Sequence, residues 1–200
     1  MHRLARCYRL GLVILIGMAL SACAVSPTPS VAPAPVATST DLDGHPQNPL
    51  ALANERKATV LLFITNDCPI SNGYAPEIHR LCDAYTRQGI AFYLVYSDPE
   101  LSAAEARQHY KDFAYTCPAL LDPKHQLANQ AGATVTPEVA VYLSDGRLIY
   151  RGRINDLYLD YGKSRFTATT NDLKDVLESI AQNRPLTMRT TQAVGCPIPM

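Results

Sequence analysis

The stretch "TVLLFITNDCPISNGYAP" (Thr59–Pro76) decides the fold. Thr59–Ile64 is an unbroken apolar run, the mark of a strand buried on both faces. A short polar turn and Cys68-Pro69 follow, and then Ile78, Leu81, Cys82 and Tyr85 recur at helical spacing until Gly89 ends the helix near Gln88. Cys68 therefore stands where a strand hands over to a helix. Unpaired N–H groups and the positive end of the helix dipole favour an anionic sulfur there, and the thiolate is the reactive form of cysteine. The plainer alternative is a small buried residue in a turn. Three residues on, where an adjacent partner thiol would stand, the residue is Ser71. Its hydroxyl can donate a hydrogen bond or cap the helix but cannot close a disulfide.

Working outward, Ile90–Ser97 reads as a second buried strand. Ser102–Phe113 reads as a helix with Ser102 and Glu105 in capping-box positions. Pro118–Asp122 is a short strand and Lys124–Ala131 a short helix. Alternation of this kind predicts a parallel sheet. The pattern then changes to a hairpin, Glu138–Leu143 and Leu148–Gly152, around an Asp145-Gly146 turn. Asn171–Gln182 is a closing helix with Leu173, Val176, Leu177 and Ile180 on one face. A polar, proline-bearing tail runs to Met200.

The N-terminus has a different character. Arg3, Arg6 and Arg9 precede the apolar run Leu10–Leu20, which is too short for a confident membrane span, and Leu20-Ser21-Ala22-Cys23 follows at once. This is a secretory signal over residues 1–22, and its end resembles the bacterial lipobox, which implies that Cys23 carries acyl chains and holds the chain on a membrane. Ala24 after that cysteine resembles outer-membrane sorting. Residues 23–40, with four prolines between Ala24 and Thr40 and no charge, form an extended tether. The folded domain is expected over 41–182 and the tail over 183–200. From Cys23 on there are 15 basic and 18 acidic residues, a net charge of −3 that argues against nucleic acid as a partner. The location implied is the bacterial cell envelope, facing the periplasm or the exterior. Of the six cysteines, Cys7 leaves with the signal and Cys23 takes lipid, so Cys68, Cys82, Cys117 and Cys196 remain in a disulfide-permissive compartment.

The element order β-α-β-α followed by a hairpin and a helix is that of the thioredoxin fold, an α/β architecture with a central mixed sheet flanked by helices. Pro76 and the Thr136-Pro137 pair before the hairpin resemble that fold's helix-kinking proline and its cis-proline facing the active-site sulfur. "DCPIS", "LLDP", "GATVTPE", "YRGRIND" and the terminal "AVGCPIP" together resemble exported bacterial redoxins of the peroxiredoxin-like group. The resemblance spans about Asp41 to Met200. It implies Cys68 as nucleophile, Pro137 beside it, and Thr65 as the threonine of a T-x-x-C pattern; Leu61 stands where that pattern has a proline.

Topology ranks the other sulfurs. In a parallel sheet Cys68 and Cys117 lie at opposite ends. Cys82 falls about three turns, roughly 20 Å, down the first helix, on its apolar face, and reads as core. Cys196 lies on a tail long enough to return across the domain at about 3.3 Å per residue, and is the candidate resolving cysteine. The alternatives are a free thiol on a disordered end or a structural staple. Arg151 and Arg153 end the hairpin at the same end of the sheet as Cys68, able to lower its pKa or to form ordinary salt bridges, with Asp156 or Asp160 as partners. His79 reads as exposed, and no histidine spacing points to a metal. No cofactor is expected. The function expected is thiol-disulfide exchange on a thiol or disulfide partner with an external reductant. A peroxidase, a copper-binding module and a purely structural domain are the alternatives.

Overall fold

The computed structural model describes residues 39–51 and 55–199. The signal segment, Cys23 and the tether up to residue 38 lie outside the described residues. No helix among the described residues is long and apolar enough to cross a membrane.

In chain order the elements are β1 (Ser39–Asp41), β2 (Pro46–Gln47), β3 (Ala58–Ile64), α1 (Pro69–Gly73), α2 (Ala75–Thr86), β4 (Ile90–Tyr96), α3 (Ala103–Asp112), β5 (Ala119–Leu121) and α4 (Gln126–Ala131). They continue with β6 (Val135–Thr136), β7 (Glu138–Leu143), β8 (Leu148–Gly152), β9 (Tyr158–Asp160), β10 (Lys163–Ser164), α5 (Asp172–Ala181), β11 (Arg189–Thr190) and β12 (Cys196–Pro197). The main sheet has the order β11-β8-β7-β3-β4-β5-β1-β2. β3, β4 and β5 run parallel, β7 is antiparallel to β3, and β8 is antiparallel to β7.

The apolar run of β3 has the two-sided burial its composition predicts. Val60, Leu62 and Ile64 join the cluster formed with α2 and α5, through Ile78, Leu81, Leu173, Val176, Leu177 and Ile180. Leu61 and Phe63 face the other way, against Leu127, Ala128 and Ala131 of α4. Each such aliphatic side chain contributes about 1.5–3 kcal/mol by leaving water, and the center of the sheet is held from both faces.

Local signals are realised where the sequence places them. Ser102 Oγ accepts from the Glu105 N–H at 3.3 Å while the Glu105 carboxylate accepts from the Ser102 N–H at 3.0 Å, so the capping box of α3 is complete. Gly146 turns the β7–β8 hairpin with φ +85°. The helix expected after Cys68 is broken in two at Tyr74, because Pro76 has no N–H to continue the ladder. Two boundaries shift. Ser39 and Thr40, assigned to the tether, form β1 and pair with β5 and β2. The segment 183–200 contains β11, which pairs with β8, and β12, which pairs with β6. β9 and β10 form a small separate hairpin that the apolar pattern does not announce.

Candidate active site

Cys68 is the N-cap residue of α1, in extended conformation, and is completely buried. β3 delivers it there: Phe63 is paired with Glu138, so the end of β3 lies beside the start of β7. The Thr136-Pro137 peptide is cis, as the resemblance implies, and Cys68 Sγ lies 3.3 Å from the Thr136 carbonyl oxygen. Glu138 steadies this turn by accepting from the N–H groups of Thr134 at 2.8 Å and Val135 at 3.4 Å.

Cys196 comes to Cys68 from the far end of the chain. After α5, β11 runs parallel to β8, and the Thr191 hydroxyl meets Tyr150 OH at 2.7 Å. β12 then lies antiparallel to β6 with Cys196 opposite Thr136. Gly195 makes this possible, since a Cβ there would collide with the Thr136 carbonyl. The Ile198 N–H donates to Thr134 O at 3.0 Å and its side chain is buried with Leu61 and Phe63. Tyr161 OH donates to Gly195 O. The outcome is a Cys68–Cys196 disulfide with a Cα–Cα distance of 6.0 Å. The alternative of a free thiol on a disordered end does not hold in this structure.

Cys82 lies in the core cluster as read, but the sequence reading left it without a sulfur partner. It is buried and forms a disulfide with Cys117, Cα–Cα 6.4 Å. Cys117 precedes β5, and α2 packs on β4, the strand beside β5. The same parallel topology that removes both residues from Cys68 brings them together at the opposite end of the sheet.

Thr65 and Arg153 are near the expected places but engaged elsewhere. The Thr65 hydroxyl donates to the Asp67 carboxylate at 2.9 Å. Arg153 lies 2.8 Å from buried Asp172 and donates to Thr170 Oγ1 at 3.2 Å, so its partner is neither Asp156 nor Asp160. Arg151 donates to Gly132 O at 2.7 Å and approaches Glu138 at 3.6 Å. His79 is half-buried, 3.1 Å from Phe113 O.

Several supporting residues had no sequence signal. His109 is buried, and burial lowers its pKa. As a neutral ring it donates from Nε2 to Asn72 Oδ1 and accepts at Nδ1 from Tyr96 OH, both at 2.8 Å. Asn72 in turn donates to Asn66 O at 2.9 Å, bracing the turn that carries Cys68. Tyr74 OH donates to Asn155 Oδ1 at 2.9 Å, and burial raises its pKa. Ser71 is completely buried and its hydroxyl has no hydrogen-bond partner. Burial can be guessed for such residues, but their partners depend on the fold. Asp41, Asp43 and His45 also gather at the β1–β2 turn with ligand atoms within 4.8 Å of one another. The Asp41 carboxylate is already occupied by the N–H groups of Asp43 and His45.

The AhpC/TSA family model matches residues 32–151, which include Cys68, the cis-proline turn and most of the sheet. The chain belongs to the AhpC/TSA family. Among curated proteins nothing matches it. Among solved structures, this AhpC/TSA protein is similar to an uncharacterized conserved protein from Geobacillus kaustophilus, with TM-score 0.72 and 25% identity over 84% of this chain and 89% of that one. It is similar in fold to a secreted Mycobacterium tuberculosis disulfide oxidoreductase homologous to E. coli DsbE, with TM-score 0.52 and 19% identity over 72% of this chain and 94% of that one. A thioredoxin-like protein from Porphyromonas gingivalis matches with TM-score 0.53 and 13% identity over 74% and 89%. The AhpC/TSA chain thus has the thioredoxin-like fold.

Proposed function

We propose that this protein is an exported thiol-disulfide redoxin, anchored to a bacterial membrane through lipid on Cys23 and facing the periplasm or the exterior. The Cys68 thiolate attacks a disulfide in a protein or small-molecule substrate, and Cys196 resolves the mixed disulfide. The observation that carries this reading is the Cys68–Cys196 bond at the end of β3, beside the cis Thr136-Pro137 turn. A disulfide at a helix N-terminus has one sulfur placed to leave as a stabilised thiolate. The family and the fold shared with a secreted disulfide oxidoreductase support it.

The peroxidase reading ranks second. It draws on AhpC/TSA membership, and a peroxide would need donors such as Thr65 and Arg153 to orient it, but these direct hydrogen bonds to Asp67 and to Asp172 and Thr170. Redox titration of the mature protein in glutathione buffers, with the disulfides mapped by mass spectrometry, tests the choice. Reduction of Cys68–Cys196 above about −300 mV supports exchange, whereas resistance below that value makes the bond a staple. Rapid oxidation of the reduced protein by hydrogen peroxide, without a disulfide substrate, would move the peroxidase reading to first place.

A further inference from the structure

We infer that the β9–β10 hairpin is a lipid-contact surface that seats the Cys68–Cys196 end of the domain against the headgroup region of the bilayer. The inference rests on the lipid anchor proposed above. It concerns what covers three exposed apolar side chains.

Leu159, Tyr161 and Phe166 are three of the four large hydrophobic side chains exposed among the described residues, and Phe166 has no shelter at all. All three lie in residues 159–166, which also carry exposed Lys163. Aromatic and aliphatic side chains interleaved with a lysine are the composition of membrane-interface segments. A braced base holds this tip out in water. The Asp156 carboxylate accepts from the N–H groups of Thr169 at 2.6 Å and Thr170 at 2.9 Å, and Arg165 folds back to within 3.1 Å of it. The Arg165 N–H donates to Leu157 O at 2.7 Å, and the Tyr158 ring packs 5.1 Å from that of Tyr74.

The hairpin stands at the disulfide. β8 ends at Gly152, opposite Val139 near the start of β7, and the chain then leaves the main sheet. Tyr158 covers Gly73, the last residue of α1, where a Cβ would collide with the Tyr158 hydroxyl. Tyr161 OH donates to the carbonyl of Gly195, next to Cys196. The tether joins the domain at the same end of the sheet. Ile64 is paired with Tyr96, Tyr96 with Leu121 and Leu121 with Thr40. One row of residues therefore runs from the strand before Cys68 to the start of β1.

Distance selects the occupant. Residues 24–38 separate Cys23 from Ser39, and at about 3.3 Å each they span at most about 50 Å. A bilayer holding the Cys23 lipid is never farther than that from β1. A tether of this length raises the effective concentration of the surface to about the millimolar range. Three side chains are too few to hold a domain on lipid unaided, but they suffice once the surface is that close. A protein partner has no such proximity. The contact is apolar, so salt that screens exposed charges leaves it in place. Cys196, beside the carbonyl that Tyr161 holds, then meets its substrates at the lipid surface.

The chain has no tryptophan, so Phe166→Trp places a single fluorescent reporter on the hairpin. Gln88→Trp places one at an exposed position just before β4, at the opposite end of the sheet. The acylated mature proteins are reconstituted in vesicles of phosphatidylethanolamine and phosphatidylglycerol, with and without lipids brominated high on the acyl chain. The Phe166→Trp protein should lose about half or more of its emission to brominated lipid, at low and high salt alike, and Gln88→Trp almost none. Equal quenching of the two reporters, or none at Phe166→Trp, overturns the inference while the anchor stands. Unmodified Cys23 in the mass spectrum of the membrane-derived protein overturns the anchor reading and the inference together. Adding Leu159→Asp to Phe166→Trp changes an exposed residue, and quenching should fall several-fold. Unchanged quenching would show that the apolar tip is not what meets the lipid.

Discussion

Cys82–Cys117 joins the lower part of α2 to the chain entering β5, with both cysteines buried in the cluster of α2, β4 and α5. Cys68–Cys196 joins a helix N-terminus to a chain-terminal strand, with one cysteine buried and the other partly exposed. The first bond is surrounded by packed elements. The second lies beside a cis-proline turn, a hydroxyl with no partner and a strand of two residues. The contrast teaches that two disulfides in one domain can divide the labour. One constrains the core, and the other sits where breaking it changes little of the core and releases a thiolate.

The largest effect that could break this comparison is on turnover. Cys68→Ser should lower the dithiothreitol-driven reduction of a disulfide substrate by about a thousandfold or more, since serine is a far weaker nucleophile and Cys196 alone is left without the second sulfur of the pair. The Cys82→Ala and Cys117→Ala pair should retain turnover within about twofold when assayed below its melting temperature. Equal losses in the two proteins would erase the distinction.

Stability should not weight the two bonds as turnover does: by loop closure both contribute, and Cys68–Cys196, with sequence separation 128, no less than the other. Cys82–Cys117 closes a loop with sequence separation 35. Its removal should lower unfolding free energy by about 3–4 kcal/mol, read from urea denaturation under oxidising conditions. In a glutathione titration followed by alkylation, this bond should remain closed at potentials where Cys68–Cys196 has opened, because its cysteines are packed in the core.

How far these roles could be read in the sequence varies with the kind of constraint. The run Thr59–Ile64, the capping box at Ser102 and the Asp145-Gly146 turn each specify structure locally, and each appears as read. Cys196 was legible because exclusion by distance left it as the one sulfur with enough chain to reach Cys68. The second disulfide was not. The distance argument set Cys82 and Cys117 aside as partners for Cys68, yet it placed both far from the same point. Only the side-by-side placement of α2, β4 and β5 turns that into proximity to each other. Arg153 shows the same limit: hairpin topology gives its place, but its preference for Asp172 depends on where α5 begins. The β9–β10 hairpin, short and largely exposed, has no buried face to leave a periodic trace.

A smaller effect sharpens the role of Ser71. If its buried hydroxyl finds its acceptor only when Cys68 is a thiolate, Ser71→Ala should raise the thiol pKa of Cys68 in the reduced protein by about one unit. The 240 nm absorbance of the thiolate against pH measures it. An unchanged titration, with folding intact, would leave the hydroxyl a packing feature only.

The smallest effect is a pH dependence confined to the Cys68 end. His109 is buried and neutral, with Asn72 and Tyr96 filling both ring nitrogens, and burial lowers its pKa from 6.5. The unfolded chain therefore binds a proton at a pH where the folded protein does not. The stabilisation is fully present above about pH 6.5 and is lost as pH falls below that value toward the folded pKa, with a slope of at most about 1.4 kcal/mol per pH unit. Because Asn72 connects His109 to the Asn66 carbonyl, the loosening should reach the turn carrying Cys68 before it reaches Cys82–Cys117. Hydrogen exchange, corrected for the intrinsic pH dependence of the chemistry, should show protection around Asn66–Asn72 falling between pH 7 and pH 5, with β5 unchanged. His109→Gln, which cannot take up that proton, should flatten the difference. A loss of protection shared equally by both ends would mean that the pH response belongs to the whole domain.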